Sequence, residues 1–212
     1  NAISERIIEG FIERVDVGVP KNAVIAEVYR DAMRGVEGAG GDYPAVAPML
    51  VSALDGAAPN LNWNEEPFVA DKATTLKISG CYRRYHAPLT QTIFLGTPPD
   101  QMKRIEAAVV DGLEAGIDAA HAGEPASNVA NALAGSMERA GFEWSGRCGY
   151  PVGLSYPPDL GERTISLWAN DDSVLEPNMT FQITSGLWID GFAVEIADCI
   201  RITQDGAAEV FS

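Results

Sequence analysis

The sequence has few of the residues that build metal centres and disulfide frameworks. Its 212 residues include three cysteines and two histidines. An odd and scattered set of cysteines argues against a disulfide framework and favours a reducing, cytoplasmic compartment. Two histidines are too few for a histidine-rich metal site. No run approaches the roughly 18 consecutive apolar residues of a membrane span, so we expect no membrane-spanning segment.

Basic residues are also scarce. The chain carries 15 Lys and Arg against 30 Asp and Glu, which gives a formal net charge of −15 at pH 7. The phosphate backbone of a nucleic acid would be repelled by this charge, so we expect no nucleic-acid partner. Hydrophobic residues make up 46% of the chain and charged residues 21%. This composition is ordinary for a globular protein and argues against disorder.

Hydrophobic periodicity predicts both helices and strands. Apolar residues recur at helical spacing over residues 3–15 and 22–34, after Pro99, and in the segment that ends at Gly141. Strand-like runs in the last third are Met179–Ile183, Leu187–Ile189, Ala193–Ile196 and Ile200–Thr203. Because helices and strands do not alternate as βαβ units, the pattern favours the α+β class.

No short motif identifies a chemistry by itself. The sequence has no phosphate-binding glycine loop, no Gly-x-Ser-x-Gly elbow and no His-Glu-x-x-His pair. Its most unusual local cluster is Tyr82–His86, in which two arginines and a histidine lie beside tyrosines in an otherwise acidic chain. Ion pairing with nearby carboxylates and a role in ligand binding are both open interpretations of this cluster.

Four longer strings, taken in order, resemble one enzyme family. They are SGCYRRYHAPLTQTI (79–93), GYPVGLSYPPD (149–159), LEPNMTFQITSG (175–186) and IADCIRITQDG (196–206). Together they resemble the catalytic domain of the methionine aminopeptidase, prolidase and creatinase family over nearly the whole chain. Within that family, the 82–88 and 153–159 runs are most similar to ectoine hydrolases.

The resemblance implies a fold and an assembly. The fold is the pita-bread fold of the α+β class, a curved antiparallel β-sheet with helices packed on its outer face, and we expect residues 3–212 to form it as a single domain. The family implies a homodimer. It also usually carries an amino-terminal domain ahead of the first helix, which we expect to be absent here. One open alternative is therefore that this chain contributes only part of a site.

The resemblance also locates the metal-binding positions of the family's peptidases. Their two aspartates, one histidine and two glutamates fall on Lys77, Pro88, Tyr150, Thr184 and Ala197. Two dications need a cluster of anionic oxygen ligands, and a lysine at this place would repel them. We therefore predict no metal, no other cofactor and no metallopeptidase activity. Creatinase implies that the fold can hydrolyse C–N bonds without a metal.

Two catalytic positions of the ectoine-hydrolase likeness are changed. The likeness implies a catalytic histidine in the loop matched by residues 59–63 and a catalytic glutamate at position 77. This chain has Asn60 in that loop and Lys77 at that position. Asparagine cannot act as a general base, and lysine can do so only where burial lowers its pKa. Glu195 matches an acidic position of the likeness. We predict that Glu195 is the general base or acid, with His86 or Lys77 assisting proton transfer.

The remaining candidates are polar side chains that could bind a small zwitterion. The candidate substrate-binding residues are Arg84, Tyr85, Tyr150, Asn60 and Thr184. Arg84 is predicted to anchor a carboxylate, since a guanidinium group can hold one through two parallel hydrogen bonds. Tyrosine and asparagine donors would stabilise charge that develops during the reaction. We interpret Trp63 and Trp188 as core aromatics rather than as walls of a pocket.

Two functions from different classes remain open on the sequence alone. The favoured hypothesis is a metal-independent hydrolase of a C–N bond in a small charged nitrogen compound. The alternative is a non-catalytic relative that binds a small ligand or a partner. Glu195, Lys77 and His86 converging around an open pocket would favour the enzyme, whereas a closed Lys77–Glu195 pair that fills the cavity would favour the binding module.

Overall fold

The structure, a computed structural model, describes residues 1–52, 60, 62–162, 164–189 and 191–211. Its helices are α1 (Ala2–Arg14), α2 (Lys21–Arg34), α3 (Asp100–Asp118) and α4 (Ser127–Arg139). Its strands are β1 (Met49–Ser52), β2 (Lys72–Tyr82), β3 (Tyr85–Leu95), β4 (Gly149–Pro151), β5 (Thr180–Ile189), β6 (Phe192–Arg201) and β7 (Glu209–Val210). None of the described helices is long and apolar enough to cross a membrane.

The seven strands of the described residues form one antiparallel sheet. The strand order is β1-β2-β3-β6-β5-β4, and β7 pairs with β6. Two long hairpins, β2–β3 and β5–β6, make up most of the sheet, and they meet where Thr90 of β3 pairs with Ala197 of β6. The class is α+β, and the sheet curves as the sequence predicted.

Each hairpin has its own pair of helices and its own core. Helices α1 and α2 cover the β2–β3 side, where Ile7 and Phe11 pack against Leu76. Helices α3 and α4 cover the β5–β6 side, where Leu133 packs with Ile183. Most apolar residues that recur at helical spacing in α1 and α3 are buried, although Ile12 of α1 is 51% exposed. The predicted curved sheet with helices on its outer face is confirmed.

The strands are longer than the sequence indicated. The four runs predicted between residues 179 and 203 are two continuous strands, β5 and β6, with an unbroken register from Thr180–Arg201 to Ile189–Phe192. The prediction broke them at residues 184–186 and 197–199, where Thr184 and Asp198 interrupt the apolar pattern. Cross-strand hydrogen bonding continues through such polar residues, because the backbone ladder does not depend on side-chain polarity.

Side-chain alternation gives the sheet two different faces. On β2, Leu76 is buried in the α1–α2 core, whereas its neighbour Lys77 points into a cavity on the opposite face. Successive side chains of a strand point to opposite sides of the sheet. The curvature of the sheet therefore encloses the polar positions of β2, β3, β5 and β6 on the face away from the helices.

Candidate active site

A cavity of about 570 Å³ opens on the concave face of the sheet. Four strands supply its floor, through residues such as Lys77, Thr90, Thr184 and Glu195. The segments that lead into β1 and β4, residues 46–49 and 144–150, supply its walls together with residues 158–162. This size is typical of a site for a small molecule.

An ion pair lies at the floor of the cavity. Lys77 Nζ is 2.7 Å from Glu195 Oε2, with the lysine side chain 19% exposed and the glutamate 4% exposed. The ammonium group also donates a hydrogen bond to Asn60 Oδ1 at 3.2 Å and lies 6.0 Å from the ring centroid of Trp188. Burial raises the pKa of Glu195, and the Lys77 charge opposes this effect without cancelling it.

A second, looser ion pair lies in the same cavity. Arg147 Nη2 is 3.8 Å from Glu162 Oε2, and Arg147 Nη1 donates to the Glu162 carbonyl oxygen at 3.4 Å. The guanidinium group lies 5.4 Å from the ring centroid of Tyr150. Burial raises the pKa of Tyr150, and the Glu162 and Glu195 carboxylates add smaller effects in the same direction. The Tyr150 phenol therefore stays protonated and can donate a hydrogen bond.

The structure brings five of the eight predicted site residues together. These five line the cavity: Glu195, Lys77, Tyr150, Asn60 and Thr184. Trp188 also lines it, so its interpretation as a core aromatic is wrong. Trp63 packs at the edge of the core, where its ring lies 6.0 Å from that of Tyr29. Of residues 59–63, Pro59 and Leu61 lie outside the described residues.

The other three predicted residues, Arg84, Tyr85 and His86, lie at the turn of the β2–β3 hairpin, outside the described lining of the cavity. Tyr85 is 61% exposed. Arg84 donates through Nε to the carbonyl oxygen of Ser155 at 3.3 Å, and its guanidinium lies 4.3 Å from the ring centroid of Tyr43 and 4.9 Å from that of Tyr156. This arginine therefore links two surface segments in the structure.

His86 is held by the backbone on both sides of its ring. Nε2 accepts a hydrogen bond from the Ala45 N–H at 3.0 Å, so the ring proton is on Nδ1, which donates to the Arg84 carbonyl oxygen at 3.0 Å. Burial lowers the pKa of His86, and the Arg84 charge adds to this effect. A neutral ring with both nitrogens engaged holds the Ala45 backbone next to the cavity wall at Val46 and Ala47.

Sequence reasoning missed several residues that line the cavity, among them Trp144, Arg147, Glu162 and Gln182. One signal was available for Arg147. It is one of only four basic residues after position 106, and it stands in the same short segment as Tyr150. Nothing local in the sequence distinguishes Glu162 from the other acidic residues, because its relation to Arg147 depends on how the 144–162 segment folds back.

Comparison with known proteins agrees with this architecture. The sequence profile of metallopeptidase family M24 matches residues 1–204. The chain belongs to this family. It is 42% identical to the ectoine hydrolase of Halomonas elongata, in an alignment that covers 96% of the chain and 54% of that protein. It is 23% identical to a Xaa-Pro dipeptidase of Pyrococcus horikoshii, over 97% of the chain and 57% of that protein.

Solved structures of M24 proteins superpose on nearly the whole chain. A prolidase from Pyrococcus horikoshii gives a TM-score of 0.87 at 23% identity, covering 98% of this chain and 58% of the prolidase. A methionine aminopeptidase from Rickettsia prowazekii gives 0.79 at 12% identity, covering 98% and 92%. These likenesses confirm the pita-bread fold. The chain spans about half the length of the curated relatives it matches.

The name of the M24 family implies a metal centre, but the donor set of this cavity does not fit one. Among the described lining residues the only carboxylates are Glu195 and Glu162, and each is paired with a cation, Lys77 or Arg147. Across the described part of the chain, no group of three or more His, Cys, Asp or Glu side chains is placed to hold a metal ion. Lys77 puts a fixed positive charge where a dication would have to bind.

Proposed function

We propose that this chain is the catalytic part of an M24 hydrolase that cleaves a C–N bond in a small charged nitrogen compound without a dinuclear metal centre. The observation that carries the proposal is the buried Glu195 carboxylate, 2.7 Å from Lys77 on the floor of an open cavity. The similarity to a curated ectoine hydrolase over 96% of the chain supports the reaction class and makes ectoine the first substrate to test.

Glu195 has the properties of a general base for this reaction. Its pKa is raised by burial, and a base with a pKa nearer neutrality takes a proton from water more effectively than an ordinary surface carboxylate. In the proposed step, Glu195 accepts a proton as the water oxygen bonds to a carbonyl or amidine carbon. The same proton then passes to the leaving nitrogen as the C–N bond breaks, so Glu195 is regenerated.

Lys77 would act through its charge rather than as a base. Its ammonium is paired with Glu195 and bonded to Asn60, so it is positioned to stabilise negative charge that develops on the substrate. Tyr150 and Thr184, which also line the cavity, supply hydroxyl donors for the same purpose. In this proposal His86, Arg84 and Tyr85 support the cavity walls and do not touch the substrate.

The closed Lys77–Glu195 contact favours a second candidate, a non-catalytic ligand-binding module. A paired carboxylate is a weaker base than a free one, and the pair matches the arrangement that the sequence associated with this alternative. The cavity nevertheless remains open at about 570 Å³, so the pair does not fill it. A binding module would hold its ligand and leave every C–N bond intact.

The deciding experiment is a hydrolysis assay with ectoine and a panel of N-acetylated amino acids, followed by chromatography of the products. We expect turnover that persists after dialysis against EDTA and does not rise when zinc, manganese or cobalt is added. We expect Glu195→Gln to lower turnover about 10²- to 10⁴-fold, as the loss of a general base does. Glu138→Gln, on the surface of α4, is the matched control.

Three results separate the candidates. Binding of a probe without hydrolysis by the wild-type chain would favour the binding module. Turnover that EDTA abolishes and a divalent metal restores would contradict metal independence. Turnover that is unchanged in Glu195→Gln would remove Glu195 from the mechanism while leaving the reaction class in place.

We also propose a cytoplasmic location and a homodimer. Cys81, Cys148 and Cys199 are buried and unpaired, which suits a reducing compartment. Free thiols that stay reduced on purification from the cytoplasm would support the location. Light scattering on the purified chain tests the assembly, and a mass near 22.6 kDa would contradict the dimer.

A further inference from the structure

The charges that line the cavity have a specific composition. The described lining contains two cations and two anions, arranged as the Lys77–Glu195 and Arg147–Glu162 pairs. The described lining therefore has no net charge, in a chain whose net charge is −15. Separated charges of both signs around one small cavity are complementary to a ligand that also carries charge at defined places.

The two cations are engaged to very different extents. Lys77 is 2.7 Å from its carboxylate and bonds to Asn60 as well. Arg147 has five N–H donors, and among the described residues its one hydrogen bond is to the Glu162 carbonyl oxygen at 3.4 Å. Its distance of 3.8 Å from Glu162 Oε2 is too long for a hydrogen bond. Most of the guanidinium donors are therefore available to a ligand.

We infer that Arg147 is the carboxylate-binding residue of this cavity and that the substrate is a carboxylate-bearing nitrogen compound. This inference rests on the proposed function, because only a hydrolase would have a substrate. A guanidinium group presents parallel N–H donors that match the two oxygens of a carboxylate. The ring of Tyr150 supports the guanidinium from one side, at 5.4 Å. The role predicted for Arg84 thus belongs to Arg147, since Arg84 is engaged outside the cavity lining.

The position of Arg147 also explains how one substrate could be oriented. Tyr150 lies against Arg147, and the pKa of Tyr150 responds to both Glu162 and Glu195, so the phenol stands within electrostatic reach of both ion pairs. A ligand whose carboxylate binds Arg147 is held at one end. In this proposal its C–N bond lies toward Glu195, which lines the same cavity, so the carboxylate contact determines which end of the molecule is hydrolysed.

The test is calorimetric binding to the whole chain with two matched probe pairs. The pairs are ectoine with its carboxamide analogue, and N-acetylglycine with N-acetylglycinamide. We expect Arg147→Gln to weaken binding of both carboxylates about 10- to 100-fold and to leave the two amides unchanged, as loss of a charge-assisted hydrogen bond does. Arg147→Lys should recover only part of this loss. Arg139→Gln, an arginine on α4, is the matched control.

Glu162→Gln separates ligand binding from a structural role. If Arg147 only anchored the segment at Glu162, this variant would lose as much N-acetylglycine affinity as Arg147→Gln. We expect it instead to keep or raise that affinity, because a competing carboxylate is removed. Equal losses for carboxylate and amide probes in Arg147→Gln would overturn the inference, and so would a wild-type chain that binds neither carboxylate.

Calorimetry measures binding of the probes, and the hydrolysis assay measures their turnover. Carboxylate-selective binding that depends on Arg147, without cleavage of any probe, would contradict the hydrolase and leave the Arg147 assignment standing. Cleavage of ectoine or N-acetylglycine by an Arg147→Gln variant with unchanged affinity would support the hydrolase and overturn the assignment.

Discussion

Glu195 is subject to two opposed effects at the scale of a single residue. Burial to 4% exposure favours the neutral acid, whereas an ammonium group at 2.7 Å favours the carboxylate. Burial has the larger effect on the pKa. The pair therefore keeps a carboxyl group of raised pKa in the cavity. Removing only the cation is expected to destabilise the fold, because it leaves a buried carboxylate without a compensating charge.

Replacing Lys77 alone should destabilise the fold. We expect Lys77→Met to lower the free energy of unfolding by about 2–3 kcal/mol, less than the roughly 3–5 kcal/mol of a fully buried pair because Lys77 is partly exposed. Urea denaturation at pH 8 measures this change. At that pH the unpaired Glu195 must either ionise in a buried site or remain protonated, and both have a cost.

The double variant tests the physical reason. Lys77→Met combined with Glu195→Gln has no buried carboxylate, so it should regain most of the stability that the single variant loses. Lys103→Met on α3 changes an exposed lysine in the same way and should be within about 0.5 kcal/mol of wild type. A double variant as unstable as Lys77→Met would show that lost packing, not charge, causes the effect.

At the scale of elements, the β2–β3 turn controls the walls of the site. Arg83 and Arg84 have φ values of 49° and 68°, a left-handed conformation that costs a residue other than glycine roughly 1–2 kcal/mol. Contacts made by the turn offset this cost: Arg84 reaches Ser155, and His86 accepts a hydrogen bond from Ala45. The turn thereby ties together both segments that continue into the cavity wall.

His86 should make stability depend on pH. Its pKa is lowered in the folded state, so below about pH 6.5 the unfolded chain binds a proton that the folded chain does not. The contribution of His86 is present above pH 6.5 and is lost as pH falls. We expect the stability advantage of wild type over His86→Gln, from urea midpoints, to shrink between pH 7.5 and pH 5.5. His121→Gln controls for the loss of a histidine. A stability difference between wild type and His86→Gln that grows at low pH would contradict this expectation.

Helix α1 meets the same hairpin at Gly80. The Gly80 N–H donates to Ser4 Oγ at 2.8 Å, and a Cβ atom at Gly80 would lie 2.7 Å from the Ser4 backbone nitrogen. We expect Gly80→Ala to lower the unfolding free energy by about 1–3 kcal/mol through overpacking. Gly40→Ala is the matched control, since a Cβ there meets nothing within 4 Å. Equal urea midpoints for the two variants would show that α1 shifts away freely.

At the scale of the whole molecule, charge is the dominant global feature. With 30 acidic and 15 basic side chains, like-charge repulsion opposes the compact state. The Debye length falls from about 30 Å at 0.01 M salt to about 4 Å at 0.5 M. We expect the urea midpoint at pH 7.5 to rise over this range of sodium chloride. A midpoint that falls would mean that the ion pairs, and not the excess of acidic residues, determine the salt response.

The sequence by itself determined the helices and the fold family. Helical stripes such as Ile3, Ile7 and Phe11 are local patterns, and local patterns are visible without a structure. Ordered strings also identified the family, and five of eight candidate site residues line the cavity. Each of these five stands at a position that the family likeness matched to a metal-binding, catalytic or acidic residue.

Only the tertiary structure decided which charged groups meet. Lys77 and Glu195 come together because β2, β3 and β6 are neighbours in the sheet, and Arg147 enters the cavity because residues 144–162 fold over its rim. The sequence suggested Arg84 and His86 because they stand beside each other in a basic cluster. Adjacency along a chain does not imply a shared surface, since a tight turn directs its side chains away from the strands it connects. Contacts between distant segments depend on register and on loop paths, which residue types alone do not specify.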